Sequence, residues 1–265
     1  MISFDLACTD EGAGRPVVLL HAFPLSRRMW DRKVRAWSQK YRVIAPDFRG
    51  FGDSPATQKE FSMASCAHDL RDLLESLGVQ KDILLLGLSM GGYVCFEFVR
   101  KYQDMLRGLI LVATQPAGDS DASRKSRYET AEFVRREGSS ELAERLIPKL
   151  LGKTTLAKQP EVVASVRSLI QPNSREAIAQ ACHGLASRRD STSLLPEVSI
   201  PTLIVTGSED ALIPAAQGET MQSQITHSQL VVVEQSGHLV NLEQPEVFEQ
   251  TVVDFLQRPN LASRS

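Results

Sequence analysis

The stretch Gly87-Leu88-Ser89-Met90-Gly91 decides the fold of this 265-residue chain. An apolar run with the length and composition of a buried strand precedes it at residues 82–86, and a helix-like run follows it at residues 92–100. A serine on so tight a turn takes up a strained backbone conformation, and small residues at both ends of the stretch let strand and helix come close. The sequence therefore predicts a nucleophilic serine, Ser89, that projects from the top of a sheet.

Two further candidate residues follow predicted strands later in the chain. Asp210 lies on the turn beyond a buried strand predicted at residues 200–207, and His238 lies in the loop beyond a strand predicted at residues 229–234. Open α/β sheets place their sites outside the carboxyl ends of their strands. The order Ser89, Asp210 and His238 thus predicts a nucleophile, an acid that orients the base, and the base itself.

Other titratable residues are weaker candidates for these roles. Asp119 follows the preceding predicted strand and is the alternative acid. His68 lies in a predicted helix and is interpreted as structural, whereas His227 lies in a polar connection and is interpreted as exposed. We interpret His21 as a brace for its loop rather than as a catalytic group.

The chain resembles the α/β-hydrolase fold serine esterases, and among them the 3-oxoadipate enol-lactonases, short-chain carboxylesterases and pimeloyl-carrier methyl-ester esterases. The matching segments span nearly the whole chain and are residues 21–24, 47–54, 87–92, 207–210 and 236–238. The resemblance implies an α/β fold with a mostly parallel central sheet, helices on both faces and a helical lid insertion. It also implies cleavage of small carboxylic esters or lactones through an acyl-serine.

Such a reaction needs an oxyanion hole to stabilise the tetrahedral intermediate. One donor is the backbone N–H of Met90, directly after the serine. The resemblance assigns the other donor to the N–H of Phe23, in the loop after the first buried strand. Ala22 stands where relatives often carry glycine, which restricts the backbone of that loop.

Strand and helix alternate up to residues 109–113, which favours a parallel sheet with helices on both faces. Residues 117–195 then show only helix-like runs, at 124–137, 140–151, 161–170 and 175–186. We predict a hydrolase core of residues 1–116 and 196–265 and a helical lid of residues 117–195 over the site. A helical elaboration packed away from the site is the alternative.

The predicted substrate pocket collects residues from the lid and from loops near the candidate catalytic residues: Leu25, Leu146, Ile147, Leu150, His183, Leu212 and Val240. Some apolar side chains of the lid must instead form its own core, and the sequence does not separate the two roles. Where the lid rejoins the sheet, Arg188 and Asp190 are expected to form a hinge salt bridge, and recognition of a substrate carboxylate is the alternative.

Composition excludes several classes of protein. The net charge of −2 and the isoelectric point near 6.2 argue against a nucleic-acid partner, and we interpret the basic cluster at residues 124–127 as a solvated helix face. No apolar run is long enough for a membrane span, and residues 1–5 show no start of a secretory signal, so we expect a cytoplasmic protein.

No metal-ligand, phosphate-binding or dinucleotide spacing appears, and the four cysteines show none of the redox spacings. We expect no cofactor and no metal, and a small-molecule ester or lactone as the partner. A cofactor-free perhydrolase, a C–C hydrolase or a proline iminopeptidase would use the same triad. A ligand-binding receptor on this fold is the alternative outside catalysis.

Overall fold

A computed structural model describes residues 6–56, 60–258 and 261 of the chain. Seven strands in this part form one sheet: β1 (Cys8–Glu11), β2 (Pro16–Leu20), β3 (Arg42–Pro46), β4 (Ile83–Leu88), β5 (Leu106–Val112), β6 (Thr202–Gly207) and β7 (Ser228–Val233). Their order is β1-β3-β2-β4-β5-β6-β7. β1 runs antiparallel to β3, and all other neighbours pair in parallel. The predicted mostly parallel sheet is confirmed.

The helices of the described residues are α1 (Asp31–Trp37), α2 (Met63–Ser76), α3 (Met90–Tyr102), α4 (Asp121–Glu137), α5 (Ser139–Leu150), α6 (Lys153–Lys158), α7 (Pro160–Ile170), α8 (Arg175–Ala186), α9 (Ala216–Gln224), α10 (Val240–Glu243) and α11 (Pro245–Leu256). Short 3-10 turns occur at Arg27–Trp30, Gln103–Met105 and Thr192–Glu197.

Both faces of the sheet are covered, as β2 illustrates. Successive side chains of a strand point to opposite faces. Val17 and Leu19 belong to one buried cluster, which includes side chains of α1 and α11, whereas Val18 and Leu20 belong to a second, which includes side chains of α2 and α3. The near-continuous apolar runs of the predicted strands reflect this burial on both faces.

Between β5 and β6, where every residue is described, the chain forms α4 to α8 and no strand. α4 packs against α8, and α5 packs against α7. The ends of the four predicted helices lie within three residues of the ends of α4, α5, α7 and α8, and only α6 was not predicted. The helical insertion therefore leaves the sheet after β5 and returns at β6, two strands that are neighbours in the sheet.

Within residues 6–56, 60–258 and 261, no helix is long and apolar enough to cross a membrane. The same residues include no group of three or more histidine, cysteine and acidic side chains placed to hold a metal ion. The ends of the predicted core, at residues 1–5 and 262–265, lie outside the described residues.

Candidate active site

Ser89 lies on the sharp turn between β4 and α3, with φ of 56° and ψ of −111°. A positive φ is unfavourable for any residue with a side chain and is retained only where the surroundings enforce it. Here the Ser89 N–H donates to the carbonyl of Val112 at 2.9 Å. The Ser89 carbonyl accepts from the N–H of Gly92 at 2.9 Å and from the Thr114 hydroxyl at 3.0 Å. The strained turn predicted from the sequence is present.

Two glycines make this turn possible. A Cβ on Gly87 would lie 2.3 Å from the carbonyl oxygen of Gly91, and a Cβ on Gly91 would lie 2.5 Å from the carbonyl oxygen of Leu20. Neither distance can be tolerated between real atoms, so β4, α3 and the neighbouring strand β2 approach each other only because both side chains are absent.

His238 and Asp210 are hydrogen bonded to each other beyond β7 and β6. The His238 Nδ1 lies 2.7 Å from an Asp210 carboxylate oxygen, and both side chains are buried. The other oxygen accepts the backbone N–H groups of Leu212 at 2.8 Å and Ile213 at 3.0 Å. Because the carboxylate is held at both oxygens, it fixes the ring with its proton on Nδ1 and leaves Nε2 as the acceptor.

Asp119, the alternative acid, is engaged elsewhere. One oxygen of its carboxylate accepts a hydrogen bond from Arg188. The other accepts one from the Arg127 Nε at 3.3 Å. The expected hinge salt bridge between Arg188 and Asp190 is wrong, since Arg188 pairs with Asp119. Asp190 instead accepts the backbone N–H of Thr192 at 2.8 Å.

Two unpaired backbone donors lie beside the serine. Phe23, Ser89, Met90 and His238 line one cavity. Neither the Phe23 N–H nor the Met90 N–H has a hydrogen-bond partner among the described residues. Met90 is the first residue of α3, so its N–H is one of the donors that every helix leaves unpaired at its positive end. Both donors suit a developing oxyanion.

His21 braces the loop that carries Phe23. Its Nε2 accepts the backbone N–H of Phe48 at 3.0 Å, so its proton is on Nδ1, which donates to the Ala22 carbonyl at 3.0 Å. The ring packs against Phe48 and Phe51, with centroids 4.6 and 5.5 Å away. Complete burial lowers the pKa of the His21 imidazole below its usual value. His21 is therefore held neutral, and it does not line the cavity.

A buried carboxylate joins the histidine loop to the helical insertion. Glu243 is 1% exposed and accepts three backbone N–H groups: those of Gly237 and Leu239, which flank His238, at 3.0 Å each, and that of Gly152 in the insertion at 2.8 Å. The His238 N–H donates to the carbonyl of Leu150 at 3.1 Å. Burial raises the pKa of the Glu243 carboxyl group. The three N–H donors by themselves lower that pKa, but burial has the larger effect.

Glu209, the residue before Asp210, makes a second connection to the same part of the insertion. It accepts the Thr154 N–H at 2.8 Å and the Thr154 hydroxyl at 2.6 Å. Segment 150–155 of the insertion therefore contacts the loops of both candidate residues. Neither Glu209 nor Glu243 was predicted from the sequence as part of the site.

The cavity beside Ser89 has a volume of about 240 Å³. Of the predicted pocket residues, Leu146, Leu150 and Leu212 line it. Leu25, Ile147 and Val240 do not, because their side chains are packed inside the buried cluster that includes Val17 and Leu19.

His183 does not line this cavity either. It lines a separate surface cavity, where its ring lies 5.3 Å from that of Tyr128. The structure thus corrects the expectation for Leu25, Ile147, Val240 and His183. Each lies on a predicted element near the site, but the sequence did not show which way its side chain points.

The cavity also has a polar wall that was not predicted, formed by Gln115, Asp119, Ser123, Ser126, Arg127, Thr130 and Lys149. Four of these residues lie on α4: Ser123, Ser126, Arg127 and Thr130. Their spacing of i, i+3, i+4 and i+7 places them on one face of that helix. The basic cluster at residues 124–127 is therefore only partly a solvated face, because Ser126 and Arg127 line the cavity.

The sequence model for the alpha/beta hydrolase fold matches residues 15–245. Among curated proteins, the chain is 27% identical over 253 residues to 3-oxoadipate enol-lactonase 2 of Acinetobacter baylyi, covering 94% of this chain and 91% of that protein. Among solved structures, a thermophilic esterase from Thermogutta terrifontis superposes with a TM-score of 0.92 and 44% identity, covering 95% of this chain and 93% of that chain.

The enol-lactonase from Burkholderia xenovorans superposes with a TM-score of 0.88 and 26% identity, and 96% of each chain is covered. The match of the family's sequence model spans the strained serine, the loop of Asp210 and the loop of His238. On this match and on its mostly parallel sheet, the chain belongs to the α/β-hydrolase fold family.

Proposed function

We propose that this chain, a carboxylic ester hydrolase of that family, cleaves small esters or lactones through an acyl-serine intermediate on Ser89. The observation that carries the proposal is the convergence of four groups on one cavity. These are the strained serine, an oriented histidine and two unpaired backbone donors.

In the proposed first step, the Ser89 Oγ attacks the carbonyl carbon while His238 Nε2 takes the serine proton. The Asp210 carboxylate stabilises the imidazolium that forms. Negative charge develops on the carbonyl oxygen, and the N–H groups of Phe23 and Met90 are the donors available to it.

When the tetrahedral intermediate collapses, His238 returns the proton to the leaving alkoxide, and an acyl-Ser89 ester remains. For a lactone, the alcohol stays attached to the acyl group. His238 then deprotonates a water molecule, which attacks the acyl-enzyme by the same path in reverse and releases the carboxylic acid.

The same triad serves perhydrolases, C–C hydrolases and iminopeptidases, and a receptor could retain the fold. The relatives favour ester and lactone cleavage, because those with informative names include an esterase and enol-lactonases. Residence in the cytoplasm and independence of cofactors stay predictions.

The direct test compares 4-nitrophenyl acetate hydrolysis by the wild type and by Ser89→Ala. Loss of a triad nucleophile lowers kcat by about 10⁴- to 10⁶-fold. We expect a loss of this size with an unchanged Tm. The matched control is Ser165→Ala, which removes an exposed hydroxyl of α7. Full activity of Ser89→Ala, or no turnover by the wild type of any ester, lactone or amide in a panel, would overturn the proposal.

A further inference from the structure

The cavity beside Ser89 is polar on one side and apolar on the other. α4 contributes Ser123, Ser126, Arg127 and Thr130 to it, so a single helix face supplies three hydroxyls and a guanidinium. α5 contributes Leu146 and Leu150 together with Lys149. Ser123 and Ser126 are exposed and Arg127 and Thr130 are half-buried, so this polar face of α4 forms the mouth of the cavity and suits a polar group at the outer end of a ligand.

The polar wall of the cavity has more positively charged than negatively charged side chains. Asp119 is the sole acidic side chain that lines the cavity in the described part of the chain, and the buried Arg188 occupies one of its oxygens. Arg127 donates only its Nε to Asp119, at 3.3 Å. The terminal amino groups of Arg127 and the ammonium of Lys149 have no partner among the described residues. Two cationic side chains thus line the cavity with donors that no described residue uses, Arg127 half-buried and Lys149 exposed at the rim.

Asp119 and Arg188 also hold Arg127 in place. Arg188 is buried, and its guanidinium lies 4.2 Å from the centre of the Tyr93 ring, which lines the cavity. Because Arg188 pairs with one oxygen of Asp119, that carboxylate is held in place. Its other oxygen fixes the Nε end of Arg127. A guanidinium fixed at its Nε presents its two terminal nitrogens as a planar fork, which matches a carboxylate bidentately.

We propose that the substrate carries a carboxylate besides the ester or lactone group, and that Arg127 and Lys149 bind this carboxylate. This inference rests on the proposed function, since it concerns the same cavity. Leu146, Leu150 and Leu212 would contact the carbon chain that joins the two groups. A neutral substrate of equal size would leave the terminal amino groups of Arg127 and the ammonium of Lys149 to water alone.

The test uses two pairs of substrates that differ only in a terminal carboxylate. The first pair, 4-nitrophenyl hexanoate and mono-4-nitrophenyl adipate, places the charge on the acyl chain. The second pair, butyl acetate and 4-acetoxybutanoate, places it on the alcohol. The value of kcat/KM is measured for each, after the uncatalysed rate is subtracted, for the wild type, Arg127→Gln, Arg127→Lys and Lys149→Gln.

We expect the charged member of at least one pair to exceed its neutral partner at least tenfold in kcat/KM. Arg127→Gln should reduce that ratio tenfold or more, and Lys149→Gln should reduce it less, chiefly through KM. Arg127→Lys should restore part of the ratio because it keeps the charge but loses the fork. The ratio should also fall as salt rises from 0.01 to 0.5 M, since Arg127 is half-buried and Lys149 is exposed.

The matched control is Arg124→Gln. Arg124 lies on the same helix, pairs with Asp121 at 3.1 Å and does not line the cavity, so both members of each pair should keep their wild-type values. A preference for the neutral member in both pairs would overturn the inference. So would an Arg127→Gln variant that slows both members equally.

A second measurement separates this inference from the proposed reaction. Ser89→Ala cannot form an acyl-serine but keeps the cavity, so adipate should raise its Tm in a titration. The added substitution Arg127→Gln should abolish that shift. If neutral esters are cleaved but adipate has no effect, the carboxylate site is wrong. If adipate binds but no ester is cleaved, the proposed reaction is wrong and the carboxylate site stands.

Discussion

Single residues shape the candidate site through local strain and through buried polar contacts. Ser89 keeps a positive φ because hydrogen bonds hold it on both sides and two glycines give it room. His21, by contrast, contributes by staying neutral, because its Nε2 must accept the N–H of Phe48. Protonation of His21 would remove that acceptor and place a charge in the core behind the loop of Phe23.

This arrangement predicts how stability depends on pH. Burial lowers the native pKa of His21, whereas an imidazole in the unfolded chain titrates near ~6.5. The unfolded state therefore binds more protons as the pH falls. The stabilisation from the neutral ring is complete above about pH 6.5 and is lost as the pH falls through the lowered native pKa.

We expect the Tm of the wild type to fall between pH 7.5 and 4.5 more steeply than that of His21→Gln, whose amide can still accept from Phe48. His227→Gln, at an exposed histidine, is the matched control and should follow the wild type. Parallel curves for the wild type and His21→Gln would contradict this role for His21.

The sequence located those parts of the candidate site whose position depends on local pattern. The turn at Ser89 could be predicted because the glycines that permit it lie two residues before and two residues after the serine. The positions of Asp210 and His238 could be predicted because each follows a strand, and their catalytic roles stay predictions. Arg127 could not be assigned, because the side of α4 that meets the cavity depends on how α4 packs against α8.

At the scale of elements, the helical insertion is attached to the loops of the site. Its segment 150–155 is bonded to Glu243, which holds both neighbours of His238, and to Glu209, which precedes Asp210. In these contacts a carboxylate accepts from backbone N–H groups. Hydrogen bonds to a charged acceptor are stronger than those between neutral groups. This end of the insertion should therefore be the least free to move.

The substitution Glu243→Gln tests that connection. An amide offers one acceptor oxygen and places an NH₂ against backbone donors, and loss of buried hydrogen bonds to a charged group costs about 1.5–3 kcal/mol. We expect a lower Tm and a roughly tenfold lower kcat with little change in KM, because His238 loses its fixed position while the cavity keeps its lining.

Glu246→Gln is the control for this experiment. Glu246 is exposed on α11 and bonds to Arg32 at 2.6 Å, so both Tm and kcat should stay near wild-type values. A Glu243→Gln protein with a reduced Tm but normal kcat would restrict Glu243 to a structural role.

The sequence predicted the long elements of the insertion and missed the short one. Helices α4, α5, α7 and α8 have repeating apolar positions that a pattern can reveal. α6 has six residues, Lys153–Lys158, and includes two β-branched threonines. So short a helix is stabilised by its tertiary contacts rather than by propensity, which is why the pattern did not show it.

At the scale of the whole molecule, the sheet and the insertion together form one small cavity. The loop after β2, the turn after β4 and the loops after β6 and β7 all contribute residues to it, and α4 and α5 close its sides. Its volume is about 240 Å³. We propose that the insertion acts as a lid that limits the size of the substrate.

This proposal predicts a preference for short acyl groups. For 4-nitrophenyl esters from acetate to palmitate, kcat/KM should peak at or below about six acyl carbons and then fall at least tenfold, because a longer chain cannot be enclosed. Leu146→Ala, which enlarges the cavity, should move the optimum to a longer chain. A rate that rises steadily to palmitate, with activation at a lipid–water interface, would contradict a lid of this kind.

The most direct test of the central claim is a mass measurement after treatment with a fluorophosphonate, which reacts with a serine only when a neighbouring base and oxyanion donors activate it. Intact wild-type protein should gain the mass of one phosphonyl group, and peptide mapping should place it on Ser89. Ser89→Ala should remain unlabelled, and Asp210→Asn should label far more slowly than Asp254→Asn, at an exposed aspartate of α11. An adduct on any other residue, or equal labelling of Ser89→Ala, would contradict the account.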